Sequence, residues 1–453
     1  MSIDLLEKCR SDFISSEYNL ENSHILVAVS GGVDSMVLLH IFNSLKYDLN
    51  ITLTCAHINH NLRSDSIEDQ FLVESTCQEY GIPLLSCALN PSEIEQGESI
   101  EEWGRNYRYS FLKQSLKEIN ANYIVTAHHA NDQAETLLMH LSEGAGPLGL
   151  GGIAKKSGNI VRPFLHATKN MIYEYATKHH IIFREDLTNL NLNHPRNYIR
   201  SEVLKPMETG FPKTIEQFQS SADLFSKYNQ MLNFFIQTAI DELGLQTKDK
   251  ITIIKKDYLK KYPLLAQSMI VKKISKNEDK SWRKHHWVEL ESFLKSNKTG
   301  AIHYFPNHYE LLNDRETFKI RKRETYVKEE ESISIGKTYE NELFSILLKE
   351  TGSMTLFPDS KNETIDAYSV AGKKLLVRPW TSSDYFQPLG MDGTQKVSDF
   401  LINRKIDRFE KEKQFVLTAD GEIMWVCGKQ ISHKARIKPT TKKAVNLIFN
   451  WKG

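Results

Sequence analysis

HILVAVSGGVDSMVLLHIF, residues 24–42, decides the fold. His24–Val29 is a short β-rich run, and Met36–Leu45 continues as an apolar helix. Between them lies Ser30-Gly31-Gly32-Val33-Asp34-Ser35. Two glycines let backbone approach a ligand without Cβ interference. The amides that follow, at a helix N-terminus, can cradle an anion, and the serine hydroxyls of Ser30 and Ser35 add donors. Asp34 repels phosphate, so its chemistry there is that of a ligand for Mg²⁺ shared with phosphates. A plain glycine-rich turn is the simpler reading of Gly-Gly alone. The stretch has neither the lysine-bearing loop of P-loop NTPases nor the G-x-G-x-x-G of dinucleotide folds.

Working outward, Ile51–His57 reads as a second strand, Ser66–Tyr80 as a helix and Pro83–Ala88 as a third strand. Ile100–Leu116 has helical spacing, Tyr123–Ala127 is strand-like, and a helix is expected over Asn131–Ser142. Repeated β-α-β units predict an α/β domain, a doubly wound, mostly parallel sheet with helices on both faces. Asn193–Leu204 reads as a polar-faced helix closing this domain. Lys213–Leu243 repeats apolar residues at three- and four-residue steps and opens a helical middle domain. Short apolar strands at Lys374–Trp380, Phe415–Thr418 and Ile423–Cys427, a helix at Ser398–Ile406 and the turn signal Asp420-Gly421 make the last segment a small α+β domain. The expected boundaries are 1–212, 213–328 and 329–453.

The 453 residues carry 58 Lys/Arg against 57 Asp/Glu, a net charge of +1. That average excludes only a uniformly basic nucleic-acid binder. Residues 248–286 hold 12 basic against 4 acidic side chains, and residues 401–453 hold 12 against 5. Two basic patches of +8 and +7 thus stand against a remainder of −14. They read either as solvated faces or as phosphate-contacting surfaces. The five cysteines form no C-x-x-C pair, which disfavours a disulfide framework, a zinc ribbon or a cysteine-ligated cluster. The acidic start lacks the basic, apolar pattern of a secretory signal, and no apolar run approaches the roughly 20 residues that span a bilayer. A cytoplasmic protein with no membrane partner is expected.

SGGVDS after a strand resembles the pyrophosphate-binding loop of the PP-loop superfamily, the N-type ATP pyrophosphatases. Further stretches narrow the likeness: HINHNLR (57–63), EEWGRNYRYSFL (101–112), HHANDQAETLLMHLSEGAGPLGLGGI (128–153), RPFL (162–165) and RNYIR (196–200). In that order they are similar to the tRNA(Ile)-lysidine synthase family, as are VRPWTSSDYFQPLGMDG (377–393) and SDFLINRKIDRFEK (398–411). The resemblance implies ligation of free L-lysine to the wobble cytidine of a CAU-anticodon tRNA(Ile). ATP would adenylate the cytidine 2-oxo group with release of pyrophosphate, and the lysine ε-amine would then displace AMP. It implies ATP as co-substrate and Mg²⁺ as cofactor. A homodimer is left open.

Within this likeness, Ser30, Gly31, Gly32, Val33, Asp34 and Ser35 form the ATP loop, joined by Ala56, His57 and Arg105. Asp34 and Asp132 are the Mg²⁺ candidates. Asp132 and Glu135 lie three apart at a helix start and share a face. They can attract the lysine ammonium or take its proton, while acids favouring a helix dipole are the plainer reading. The resemblance brings Arg200 to the reacting centre, so Asp34, Asp132, Glu135 and Arg200 are the catalytic candidates. His60, Arg63, Arg108 and Arg196 are candidates for tRNA or substrate, with a capped turn or a solvated helix face as the alternative. Asn131 stands where the family often has an aspartate, and Gly104 where alanine is usual. A PP-loop tRNA thiolase would need paired cysteines, and GMP synthetase would need an amidotransferase. A non-catalytic tRNA- or nucleotide-binding protein would not need the acids at 34, 132 and 135.

Overall fold

The computed structural model describes residues 4–15, 18–59, 61, 66–90, 94, 100–185, 194–276, 282–324, 329–352 and 362–452. The chain divides into two compact units, residues 1–234 and 235–453.

The first unit is built on β1 (His24–Val29), β2 (Thr52–Asn59), β3 (Leu84–Ala88), β4 (Tyr123–Val125), β5 (Lys156–Ser157) and β6 (Ile160–Val161), in the spatial order β3-β2-β1-β4-β6-β5. All neighbours run parallel except β5 on β6. The helices are α1 (Leu5–Ile14), α2 (Val33–Leu45), α3 (Ser66–Tyr80), α4 (Ile100–Glu118), α5 (Ala130–Ser142) and α6 (Lys169–Lys178). From Ile25 on, β1 is apolar because both its faces are covered. Ile25, Val27 and Val29 pack with Phe13 of α1, with Val37 and Ile41 of α2 and with Ile172 of α6. Leu26 points the other way, to Leu112 of α4 and Ile124 of β4. That alternation makes the sheet doubly wound.

The strand order reverses at β1. The chain goes from β1 to β2 on one side and later returns to β4 on the other, so a crevice opens at the carboxyl ends of β1 and β4. α2 and α5 begin on its two sides. The unit is closed by α7 (Pro195–Tyr198), a wider π turn over Ile199–Leu204 and α8 (Lys205–Gly210). The long α9 (Thr214–Glu242) follows. Ile215 of α9 and Leu204 pack on Ala130 and Ala134 of α5, which fixes the start of α5 from behind.

The second unit begins within α9. It holds β7 (Gln246–Lys248), β8 (Ile251–Lys255), α10 (Lys256–Leu259), α11 (Leu264–Ile274), α12 (Lys284–Lys295), β9 (Ala301–Tyr304), β10 (Tyr309–Asn313) and β11 (Thr317–Lys322). The middle segment is helical as expected, and also carries an antiparallel sheet in the order β7-β8-β11-β10-β9.

Beyond it come β12 (Glu331–Ile333), β13 (Thr338–Glu340), β14 (Phe344–Thr351), β15 (Asn362–Asp366), β16 (Leu375–Pro379), β17 (Tyr385–Phe386), β18 (Gln395–Lys396), α13 (Val397–Asn403), α14 (Arg408–Glu412), β19 (Phe415–Ala419), β20 (Glu422–Val426), β21 (Gln430–Ile431) and β22 (Ala444–Trp451). Two antiparallel sheets, β12-β16-β19-β20-β21 and β13-β14-β22-β15, share one core. Phe344, Leu447 and Phe449 of one meet Val377, Phe415 and Trp425 of the other. Asp420 and Gly421 both take positive φ, 48° and 84°, as the tight β19–β20 hairpin requires.

Candidate active site

The loop after β1 is shaped by its own side chains. The Ser35 hydroxyl accepts from the Ser30 N–H at 3.0 Å and donates to the Gly32 carbonyl at 2.9 Å. Gly31 sits at φ +90°, a conformation that favours glycine, and a Cβ there would lie 3.3 Å from the Cβ of Asp69. Arg184 closes the outer side. Its N–H donates to the Gly31 carbonyl at 3.0 Å and its Nε to Asp69 at 2.8 Å. Val33 and Ser35 are buried in the first turn of α2, and Asp34 between them turns outward.

Asp34 faces two cationic or polar partners. Lys169, at the start of α6, donates its ammonium to both carboxylate oxygens at 2.7 and 2.6 Å. His129 Nε2 lies 3.7 Å away. His129 is also the N-cap of α5. Its Nδ1 accepts from the Asp132 N–H at 3.4 Å, while Asp132 Oδ2 accepts from the His129 N–H at 2.9 Å. With Nδ1 accepting, the ring N–H is on Nε2, toward Asp34. Asp34 and Asp132 therefore stand on opposite sides of one imidazole. Burial opposes the Asp132 charge, yet the His129 and His128 rings, the His129 N–H and Arg196 together hold its pKa below the usual carboxylate value. Asn131 Oδ1 accepts from the Lys169 N–H at 2.9 Å, tying the start of α6 to α5.

Glu135 lies one turn further along α5 and is wholly buried. Its Oε1 accepts from Arg200 Nε at 2.6 Å, and its Oε2 is buried with no partner among the described residues. Burial raises the pKa of Glu135 against the pull of Arg200. Arg200 reaches it from the π turn, a local widening often found at functional sites. Arg196, one turn earlier, donates to Thr136 of α5 at 3.4 Å.

On the other side of β1, Ala56 and His57 pair in register with Ala28 and Val29. His57 Nδ1 donates to the Val29 carbonyl at 2.9 Å, which leaves Nε2 an acceptor, buried and without a partner among the described residues. Burial pushes the His57 pKa down, so the ring is neutral. Arg105 and Arg108 stand on the exposed face of α4, Arg105 with its guanidinium 5.5 Å from the Tyr109 ring centre. Both charges act on His128, whose pKa is lowered to about 4, chiefly by burial.

The fold thus gathers the loop residues, Asp34, Asp132, Glu135, Arg196 and Arg200 around His129, with Ala56 and His57 alongside. His60 and Arg63 lie outside the described residues. Sequence reasoning missed His129, Lys169 and Arg184. His129 carried a signal, as the polar residue directly before a helix start with an acid three positions on. Lys169 and Arg184 carried none. All five cysteines are free thiols, four of them buried, and no group of three or more His, Cys, Asp or Glu among the described residues is placed to hold a metal unaided.

A PP-loop domain matches residues 6–207, and the TilS substrate C-terminal domain matches residues 375–447. The chain is 29% identical to the tRNA(Ile)-lysidine synthase of Clostridium tetani, over 95% of this chain and 96% of that protein. It is 29% identical to the Clostridium acetobutylicum protein of the same name, over 94% and 95%. The Thermotoga maritima tRNA(Ile)-lysidine synthase is 37% identical over 49% of this chain and 53% of its own length. With both domains in this order and relatives matching end to end, the chain belongs to the PP-loop superfamily and, within it, to the tRNA(Ile)-lysidine synthase family.

Proposed function

We propose that this protein ligates free lysine to the wobble cytidine of CAU-anticodon tRNA(Ile), with ATP adenylating the cytidine 2-oxo group before the lysine ε-amine displaces AMP. One observation carries the reading: a wholly buried Glu135 with an orphaned oxygen stands on the same helix as Asp132, beside a glycine loop built for an anion. Anion binding alone has no use for these acids. A buried carboxylate oxygen without a partner is costly, and an ammonium group would satisfy it.

The residues divide the work. The amides and hydroxyls of Ser30–Ser35 cradle the pyrophosphate. His57 Nε2 needs a donor, which the adenine amino group supplies, and Ala56 leaves room beside it. Asp34 already holds a cation through both oxygens, so its setting fits Mg²⁺, with Asp132 as the second candidate ligand. Mg²⁺ bound there would neutralise charge on the ATP phosphates. Glu135 holds the incoming ammonium and takes its proton. A pKa raised by burial makes a carboxylate a better base. Arg200 offsets charge developing on the adenylated base. Arg105 and Arg108 bind phosphate and Arg196 binds the tRNA, with His60 and Arg63 remaining candidates for the tRNA from the sequence alone. Residues 1–212 form the catalytic domain, 213–328 the middle domain, and 329–453 a tRNA-binding domain. No helix among the described residues is long and apolar enough to cross a membrane, and the reaction belongs in the cytoplasm.

The test is incubation with ATP, labelled lysine and CAU-anticodon tRNA(Ile). Label enters the RNA with release of pyrophosphate, and fails to enter when the wobble cytidine is replaced. A folded protein that binds the tRNA and releases no pyrophosphate would be a binder on this fold.

A further inference from the structure

The second unit holds a cavity of about 300 Å³ that the reaction above does not use. Trp282, His286, Glu289, His303, Tyr304 and Phe305 line it. The residues come from the start of α12 and the end of β9. The Trp282 and Phe305 rings stack 6.1 Å apart at 28°, and His303 meets Phe305 edge-on at 4.9 Å. At these distances the rings are directly paired, so a ligand lies on their shared platform rather than between them.

Three features say what such a ligand needs. First, Trp282 Nε1 is buried with no hydrogen-bond partner among the described residues, and His286 Nδ1 accepts from the Arg283 N–H at 3.1 Å, leaving its Nε2 as the donor of the neutral ring. Two donors therefore call for acceptors. Second, Glu289 is an acceptor that calls for an N–H. Third, cations stand at the rim. Lys272 Nζ lies 5.2 Å from the Trp282 ring centre and 5.3 Å from that of Trp287, and the Arg323 guanidinium lies 5.4 Å from that of Tyr304. The sequence stretch 248–286, to which Lys272 and Trp282 belong, holds 12 basic against 4 acidic side chains. A flat π face, acceptors, an amino group and negative charge together describe a nucleotide whose base carries an exocyclic amine. Aromatic rings interleaved with cations are the usual platform for single-stranded nucleic acid. A metal does not suit the site, since no group of three or more His, Cys, Asp or Glu among the described residues is placed to hold one.

We propose that this cavity stacks an unpaired, amino-bearing base of the tRNA, giving the middle segment a nucleotide contact of its own. The proposal rests on the tRNA-substrate reading only for the identity of the RNA. The experiment uses the full chain. CAU-anticodon tRNA(Ile) is titrated at several salt concentrations into wild type, Trp282→Ala, Trp282→Phe and Lys272→Ala. Tryptophan fluorescence is followed on adding the tetranucleotides ACCA and UUUU, or AMP. Trp282→Ala is expected to weaken tRNA binding about 5- to 150-fold, the worth of one stacked base. It should do so with an unchanged salt slope, whereas Trp282→Phe restores binding and Lys272→Ala flattens the slope. ACCA should quench more strongly than UUUU. Unaltered tRNA affinity in Trp282→Ala, with the variant folded by circular dichroism, overturns the proposal. So does saturation of the quench by AMP at the concentration at which ACCA acts, which would make this a free-nucleotide site. Tryptophan-dependent RNA binding without lysidine formation in wild type would leave the cavity standing and remove the substrate reading instead.

Discussion

Both carboxylate oxygens of Asp34 accept from the ammonium of Lys169, a residue 135 positions later in the chain. The loop acid is thus oriented before any nucleotide arrives. Because Asn131 Oδ1 holds the Lys169 backbone, α5 and α6 share in setting that pair. A cation bound to Asp34 must displace Lys169, and the freed ammonium is then positioned to meet phosphate. Lys169→Met should raise the KM for ATP about tenfold, the worth of one charge-assisted hydrogen bond. The side chains of the pair are 31% and 27% exposed, so stability should change by no more than about 1 kcal/mol. Pyrophosphate-release kinetics and urea unfolding check the two halves. An unchanged KM would confine Lys169 to the role of counter-ion.

The two loop glycines should fail differently. At Gly31 both the φ of +90° and the nearby Asp69 resist a side chain. Gly31→Ala should therefore cost stability, about 1–3 kcal/mol. Gly32 has an ordinary φ of −74°, and an added Cβ would come no closer than 3.6 Å to Ser30 Oγ. Gly32→Ala should unfold at the wild-type urea concentration yet lose most pyrophosphate release, because its methyl intrudes on the anion rather than on the protein. Full activity in a stable Gly32→Ala would move the phosphates away from this loop.

The framework of the first unit was legible because its signals are local. Ile25–Val29 of β1 is a continuous apolar run, SGGVDS follows it directly, and α5 carries an acid pair three apart in its first turns. Asp420-Gly421 likewise announced its hairpin. What stayed hidden depends on contacts between distant segments. Glu135 and Arg200 pair across 65 positions, and neither side chain alone says so. The strands of the middle sheet are short, and all three residues of β7 are exposed. Alternation cannot stand out in such segments. The π turn under Arg200 has no sequence signature at all.

His128 should set part of the acid sensitivity. Its pKa falls from 6.5 to about 4, because burial and the charges of Arg162, Arg105 and Arg108 outweigh the attraction of Asp132. The unfolded chain therefore takes up this proton first as pH drops. The associated stability is present above pH 6.5 and is lost as pH falls toward 4. It amounts to about 3 kcal/mol at most. His128→Asn should lose less stability than wild type across that window and show a flatter profile in urea unfolding at a series of pH values. Parallel profiles would mean that the ring takes up its proton alike in the folded and the unfolded protein.

In the second unit, Arg321 of β11 is the residue whose loss should be felt most. Its side chain is only 7% exposed. Nε donates to the equally buried Glu310 of β10 at 2.7 Å, Nη2 donates to Glu412 of α14, and the guanidinium lies 3.8 Å from the Phe409 ring centre. Two positions along the same strand face, Lys319 meets Asp407 at the head of α14. The charged face of β11 is thus fastened to α14 by two ion pairs, and to β10 by a third that is almost dry. Removing one partner of a buried pair leaves the other charge desolvated and alone, which costs about 3–5 kcal/mol. Arg321→Ala should lower stability by that amount, and Arg321→Lys should recover only part, since one ammonium cannot reach both glutamates in the planar fork geometry. Lys319→Ala should cost less, its side chain being 18% exposed. Adding Glu310→Leu to Arg321→Met should restore much of the loss, because an apolar pair fills the space without stranding a charge. If the double variant were no more stable than Arg321→Ala, the defect would lie in lost packing on Phe409, and Arg321→Met alone would then be the better rescue.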